Sequence, residues 1–197
     1  MLFRSGTWLS RLAVAPSVIA LQQYNILDSH DTPRIRTLVK GNDRLHRLAV
    51  AVLLTFPGIP GLYYGDEIGM EDVPDLHARG CMVWDEARQD RSLYEYHQTL
   101  IRLRRHSPAL QRGSFQILLI EPDTVAFQRE SLEDRILVIA HRGDEPRPAA
   151  PLPVINAGIP DGTRFINIES GDELTVSHGV LNLPQIDQGA TLLRQAS

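Results

Sequence analysis

The chain has 197 residues, which is enough for one full domain or two small ones. Hydrophobic residues make up 43% and charged residues 22%, a balance that indicates a folded protein and excludes a disordered acidic or basic tail. The formal net charge of 20 − 24 = −4 argues against a nucleic-acid-binding protein, which usually has a basic balance or a basic stripe.

The first predicted element is a helix over residues 3–15, which Pro16 ends. Arg4 and Arg11 precede an apolar run over residues 12–21, a pattern that also resembles a secretory signal peptide. We favour the helix, because the run leads directly into a segment with the pattern of core structure. No apolar run reaches the ~18–20 residues of a membrane span, so we expect no membrane partner.

Strands and helices then alternate as far as about residue 110. Asn42 or Asp43 is the expected N-cap of the second of these helices, and the prolines and glycines of residues 57–61 end it. The segment over 68–90 is long enough for a functional loop. The predicted elements are a strand over 20–27, a polar loop over 28–33, a helix over 42–56, a buried strand over 62–64 and a helix over 91–106.

After Gly113 the pattern changes to short β-runs between turn residues, which is typical of an antiparallel β-sandwich. The runs are residues 115–120, 124–128, 135–140, 163–168 and 180–183. Strands that alternate with helices predict parallel βα units, and two such units are too few for a stable domain. We therefore predict an α/β plus all-β protein: residues 1–110 form part of a (β/α)8 barrel, and residues 111–197 form a sandwich domain.

The sharpest local cluster is Asp28-Ser29-His30-Asp31, directly after a predicted strand. The carboxyl ends of barrel strands hold the active site in such folds. Carboxylates and imidazoles there can bind pairs of sugar hydroxyls and favour positive charge that develops in an oxocarbenium-like transition state. The alternative is structural: Asp31 or Thr32 would cap the next helix, with Pro33 in its first turn.

Three segments resemble the α-amylase family (glycoside hydrolase family 13). Residues 25–34 (NILDSHDTPR) resemble its fourth conserved region, and residues 57–69 (PGIPGLYYGDEIG) resemble its eighth barrel strand and the loop after it. Residues 82–85 (MVWD) resemble the loop that follows. Within the family the most similar groups are the cyclomaltodextrinases, neopullulanases and maltodextrin glucosidases. The barrel part would then contain strands 7 and 8 with their helices.

The resemblance implies roles for single residues. Asp31 matches the carboxylate that holds the sugar hydroxyls at the cleavage point, and His30 matches the neighbouring histidine that stabilises the transition state. Arg34 is a weaker candidate for a substrate contact, with a surface salt bridge as the alternative. Trp84 is expected either to stack on sugar or to pack in the core. Asp66 and Glu67 are expected to be structural rather than a catalytic pair.

The other two catalytic carboxylates of the family are missing from this sequence. The nucleophile lies in a Gly-x-Arg-x-Asp string, and none precedes Asn25. We therefore expect a fragment of a retaining α-glucan hydrolase that is inactive alone. The alternatives are a non-catalytic glucan-binding module and a complementing fragment that docks with an N-terminal half of the same enzyme.

The expected ligand is an α-glucan oligosaccharide, and no cofactor or metal is expected, because the histidines show no metal-ligand spacing. Cys81 is the only cysteine, so it forms no internal disulfide. A reducing, cytoplasmic location follows most simply from that. We expect Cys81 to be a small buried residue.

Overall fold

The computed structural model describes residues 17–196. The helix predicted over residues 3–15 lies outside this range. The described helices are α1 (Ser17–Ala20), α2 (Ile35–Leu38), α3 (Asp43–Thr55), α4 (Arg91–His106) and α5 (Pro108–Arg112), together with 3₁₀ turns at Asp66–Ile68, Glu86–Arg88 and Ile155–Ala157.

The two long helices, α3 and α4, confirm their predictions almost to the residue. Asn42 caps α3, where its side chain accepts the N–H of Leu45 at 3.1 Å. Asp90 caps α4 in the same way, with the N–H of Leu93 at 2.9 Å. An oxygen at the N-cap satisfies one of the free N–H groups of the first turn, which is why both helices begin where they do.

Two short parallel strands precede and follow helix α3. They are β1 (Tyr24–Ile26) and β2 (Ile59–Gly61), with Tyr24 opposite Ile59 and Ile26 opposite Gly61. The predicted parallel pairing is confirmed, but the second strand lies three residues before the predicted 62–64. Gly58 permits the close approach, because its φ is +115° and a Cβ there would lie 2.3 Å from Nδ2 of Asn25.

The rest of the chain forms one antiparallel sheet of eight strands, in the order β3-β4-β5-β10-β7-β8-β9-β6. Five strands match predicted runs, whereas β6, β8 and β10 and the short helix α5 were not predicted. The sheet curls, so that Gln116 on β3 donates to the carbonyl of Asn156 beyond β6. The strands are β3 (Ser114–Ile120), β4 (Thr124–Glu130), β5 (Arg135–His141), β6 (Ala150–Pro153), β7 (Arg164–Asn167), β8 (Glu173–Ser177), β9 (Val180–Leu183) and β10 (Gly189–Gln195).

The central strands β4 and β5 are buried on both faces. On the concave face, Leu137 and Phe165 pack with residues from the other strands. On the opposite face, Phe127 and Val138 pack against Leu110 of α5. Helix α5 and the sheet therefore share an apolar contact.

Two buried histidines face each other where α3 packs against α4. His46 is fully buried, and neither ring nitrogen has a hydrogen-bond partner among the described residues. Its ring centroid lies 6.1 Å from that of His97, in an edge-to-face arrangement. Burial first, and then the neighbouring His97, lowers the pKa of His46 to about 4. The folded protein therefore holds His46 neutral.

We predict that this pair makes the protein sensitive to acid. An unfolded histidine has a pKa of about 6.5, so the unfolded chain binds the proton first. The contribution of His46 is complete above that value and falls by about 1.4 kcal/mol per pH unit toward pH 4. Urea unfolding from pH 7 to 4 measures it as the free energy of unfolding of the unaltered chain minus that of His46→Leu. This difference should fall with the pH, whereas the difference from the exposed control His106→Leu should stay constant; two differences with the same pH dependence contradict the prediction.

Cys81 is exposed, so the expectation of a small buried residue was wrong. It lies in the loop between the two 3₁₀ turns at 66–68 and 86–88, where the apolar core does not extend.

Over residues 17–196, no helix is both long and apolar enough to cross a bilayer.

Candidate functional site

Two loops meet at the carboxyl ends of the parallel strands. One follows β1 and contains residues 27–34, and the other follows β2 and contains residues 62–85. Because carboxyl ends of neighbouring parallel strands lie at the same edge of a sheet, the loops enclose a concave surface there. They form a cavity of about 350 Å³ that is lined by His30, Asp31, Thr32, Pro33, Asp72, Leu76, His77 and Arg79.

The carboxylate of Asp31 lies between two basic side chains in this cavity. Its Oδ2 is 3.1 Å from Nε2 of His30, and its Oδ1 is 2.8 Å from Nη2 of Arg79. The side chains of Asp31 and His30 are 67% and 60% exposed, so both remain accessible to a ligand. The structure thus brings together the two residues that the sequence singled out and adds Arg79, which sequence analysis missed.

Local hydrogen bonds fix the turn that presents Asp31. The hydroxyl of Thr32 accepts the N–H of Ser29 at 2.8 Å, and the hydroxyl of Ser29 accepts the N–H of Asp31 at 3.2 Å. Helix α2 begins at Ile35, and the backbone N–H of Ile35 donates to the carboxylate of Asp28. Asp31 therefore does not cap this helix, and its carboxylate is left for the cavity.

Arg34 lies beneath the turn rather than in the cavity. Its side chain is fully buried, so the surface salt bridge considered from sequence is wrong. The guanidinium donates to the carbonyls of Tyr64 at 2.7 Å and Ala78 at 3.0 Å, and to Oδ1 of Asp66 at 3.1 Å. It also lies 4.8 Å from the ring centres of Tyr63 and Tyr64. In this conformation Arg34 contacts protein groups and does not reach the cavity where a substrate contact was expected.

Trp84 lies in a second concavity, next to the first. Its exposed fraction is 81%, so the core-packing alternative is wrong and the indole face is free to stack. This second cavity, of about 550 Å³, is lined by residues 68–73 and 81–85 and by Arg88. Asp72 lines both cavities, so they adjoin.

Asp66 and Glu67 do not form a catalytic pair in this structure. Asp66 is buried and accepts from Arg34, whereas Glu67 accepts the N–H of Gly65 at 2.8 Å. Gly65 and Gly69 both have positive φ values, 87° and 76°, which form the tight turn at the end of the strand. Within the described part of the chain, no group of three or more His, Cys, Asp or Glu side chains could hold a metal ion.

Comparison with known proteins decides the family. The model of the α-amylase catalytic domain matches residues 7–85, the part that contains both loops up to Trp84 and Asp85. This part of the chain belongs to the α-amylase family.

Individual relatives agree with this assignment. A cyclomaltodextrinase from a Bacillus species is 41% identical over 131 residues, which cover 66% of this chain and 24% of that protein. Neopullulanase 2 from Thermoactinomyces vulgaris is 35% identical over 171 residues, which cover 85% of this chain and 28% of that protein. A solved cyclomaltodextrinase superposes with a TM-score of 0.83 at 31% identity, covering 95% of this chain and 32% of that one. The chain thus spans roughly a quarter to a third of the length of these α-amylase-family relatives.

Proposed function

We propose that this chain forms one wall of the active site of a retaining α-glucan hydrolase that cleaves α-1,4-glucosidic bonds in maltodextrins or cyclodextrins. The observation that carries the proposal is the exposed Asp31 carboxylate, held between His30 and Arg79 at the carboxyl ends of two parallel strands. In this proposal residues 1–110 are the last two βα units of a (β/α)8 barrel, and residues 111–197 are its C-terminal β-sandwich.

Each side chain of the site has a proposed role. Asp31 binds two hydroxyls of the sugar at the cleavage point and opposes the positive charge that develops on its ring. His30 hydrogen-bonds a hydroxyl of the same sugar, and Arg79 holds the Asp31 carboxylate in place. Trp84 stacks on a further sugar unit, since the adjoining cavity opens beside it. Arg34 supports the turn from below.

Catalysis requires two more carboxyl groups, about 5–5.5 Å apart, as nucleophile and acid/base. We propose that a second segment, the N-terminal half of the same enzyme, supplies them. The parallel pair supports this, because Tyr24 is 69% and Ile59 54% exposed, and two-stranded parallel sheets are normally completed by further strands. A cytoplasmic location is part of the proposal, since a single exposed thiol, Cys81, suits a reducing compartment.

The isolated chain is therefore expected to show no turnover of maltotriose or cyclodextrin. Release of glucose and maltose by the purified chain measures this, with boiled protein as the blank. Addition of a segment that contains the Gly-x-Arg-x-Asp string and the acid/base Glu should restore turnover. Turnover by the chain alone that disappears in Asp31→Ala would overturn the proposal.

A second candidate function is glucan binding without catalysis, which the exposed Trp84 favours. Binding of the full chain to insoluble starch separates the two functions. Retention that survives Asp31→Ala but is lost in Trp84→Ala, together with no turnover after complementation, would support the binding module instead.

A further inference from the structure

Three charged side chains are buried together directly beneath the turn that presents His30 and Asp31. Asp28 follows strand β1 and is 4% exposed, Asp66 follows strand β2 and is 3% exposed, and Arg34 is fully buried. A buried charge is costly unless it is paired or neutralised. The function proposed above uses none of the three as a ligand contact.

The contacts of Asp28 leave one oxygen atom unsatisfied. Its Oδ2 accepts the N–H of Ile35 and so closes the base of the loop between residues 28 and 35. Its Oδ1 is buried and has no donor among the described residues. The carboxyl group of Asp66 lies within hydrogen-bonding reach of the Asp28 side chain. A proton on Asp66 would give Asp28 the donor that it lacks.

The net charge of the cluster also favours a proton on Asp66. Two ionised carboxylates and one guanidinium would leave a net charge of −1 in a buried space, whereas one added proton makes the cluster neutral. The other polar groups that face it are already paired or neutral. Asp72 accepts the backbone N–H of Arg34 at 3.1 Å, and Glu67 accepts the N–H of Gly65. The two aromatic neighbours of the guanidinium are Tyr63 and Tyr64, and the exposed Arg79 binds Asp31.

We propose that Asp28 and Asp66 share one proton and, with Arg34, form a clamp that positions the Asp31 turn against the loop that contains Arg79. Arg34 reaches both sides, because it adjoins the turn in sequence and donates to the carbonyl of Ala78, next to Arg79. All three are positioning residues, since none contacts the cavity. The positioning role rests on the function proposed above, whereas the shared proton does not.

The electrostatics agree with the geometry. Burial first, and then the hydrogen bond and charge of Asp28, raises the pKa of Asp66 to about 8, against the opposing effect of Arg34. The clamp is therefore neutral below this pH and gains a second negative charge above it. Repulsion between the two carboxylates then pushes Asp28 away from Asp66 and moves the loop that its bond to Ile35 closes.

Amide NMR of the full chain from pH 6 to 10 tests the shared proton and its coupling to the site. The amide resonance of Ile35 should shift with a midpoint near pH 8, and that of Asp31 should shift with the same midpoint. In Asp66→Asn both shifts should vanish, because the amide donates permanently to Asp28 and still accepts from Arg34. The exposed control Asp75→Asn should titrate like the unaltered chain.

Each outcome decides one part of the proposal. An Ile35 resonance that does not move near pH 8, or that still moves in Asp66→Asn, overturns the shared proton. If the Ile35 resonance shifts but that of Asp31 does not, the positioning role is contradicted and the shared proton is supported.

Urea unfolding gives a second readout of the shared proton. The folded pKa of Asp66, about 8, is above the unfolded value of about 3.9, so the folded chain holds more protons between them. The unfolding constant of the unaltered chain, relative to that of Asp66→Asn, should therefore rise about tenfold per pH unit between pH 5 and 7 and level off above pH 8. A ratio that stays constant with pH contradicts the clamp.

Titration with maltoheptaose, after addition of the complementing segment, separates this proposal from the function above. If both hold, the complemented chain loses affinity as the pH passes 8, and complemented Asp66→Asn does not. A complemented chain that binds no glucan at any pH contradicts the proposed function, and the amide shifts of Ile35 and Asp31 then still decide the clamp.

Discussion

Replacement of Arg129 by methionine is expected to lower the free energy of unfolding by about 3–5 kcal/mol. The Arg129 side chain is fully buried at the contact between the helices and the sheet. Its guanidinium donates to three backbone carbonyls: Thr55 at 2.8 Å, Gly113 at 3.1 Å and Ser114 at 3.1 Å. These carbonyls belong to the end of α3, the loop after α5 and the start of β3, so one side chain joins three elements.

The size of the effect follows from what methionine leaves behind. Methionine fills much of the same volume but donates no hydrogen bond, so three acceptors lose their donor, at ~1–3 kcal/mol for each that stays buried. Part of this is offset, because burial of the charge is itself unfavourable and lowers the pKa of Arg129 to about 10. The backbone acceptors cannot be removed together with the charge, so the net change remains destabilising.

Equilibrium urea unfolding at pH 7 measures this change. Arg164→Met is the matched control, because Arg164 forms an exposed pair with Glu173 and should contribute less than about 1 kcal/mol. A loss below that value for Arg129→Met would mean that water replaces the guanidinium at all three carbonyls.

Local signals were enough to predict the long helices. Helices α3 and α4 have an apolar stripe at helical spacing, a capping oxygen at the first position and a definite stop. All of these features lie within a stretch of about 16 residues. The bounds of both helices could therefore be predicted before any tertiary contact was known.

The strands depend more on distant partners. The segment over 62–64 has the composition of a buried strand, but Tyr63 and Tyr64 pack on Arg34, and the pairing moves to Ile59–Gly61. Strand β6 contains two prolines, which normally argue against a strand, and it is tolerated because β6 is at the edge of the sheet. Only the completed sheet makes this position an edge.

In the candidate site, too, some residues could be predicted from the local sequence and others could not. His30 and Asp31 could be predicted as site residues, because the cluster follows a strand and residues 25–34 resemble a conserved region of the α-amylase family; both line the cavity, and their roles stay predictions. Arg79 could not be identified, since it lies 48 residues from Asp31 in a loop without regular structure. The burial of Arg34 likewise could not be predicted from the sequence, because its acceptors come from the loop after the other strand.

The second large effect concerns Asp31 in the proposed enzyme, once a further segment has supplied the other two carboxyl groups. Asp31→Asn is expected to lower kcat/KM for maltotriose by about 10²–10³-fold, the usual loss when one preorganised electrostatic contact to a transition state is removed. The asparagine keeps the shape of the side chain and one oxygen for sugar hydroxyls, but it loses the negative charge. It also weakens the contact to Arg79, which lies 2.8 Å from the carboxylate.

The division of this loss between kcat and KM tests the role of the charge. If the carboxylate acts mainly on the positive charge of the transition state, kcat falls much more than KM rises. Asp75→Asn is the control, because Asp75 is an exposed residue of the facing loop that does not line the cavity, and its rate should equal that of the unaltered enzyme. A raised KM with unchanged kcat would make Asp31 a uniform sugar contact, because an interaction of equal strength in the bound substrate and in the transition state leaves the barrier between them unchanged.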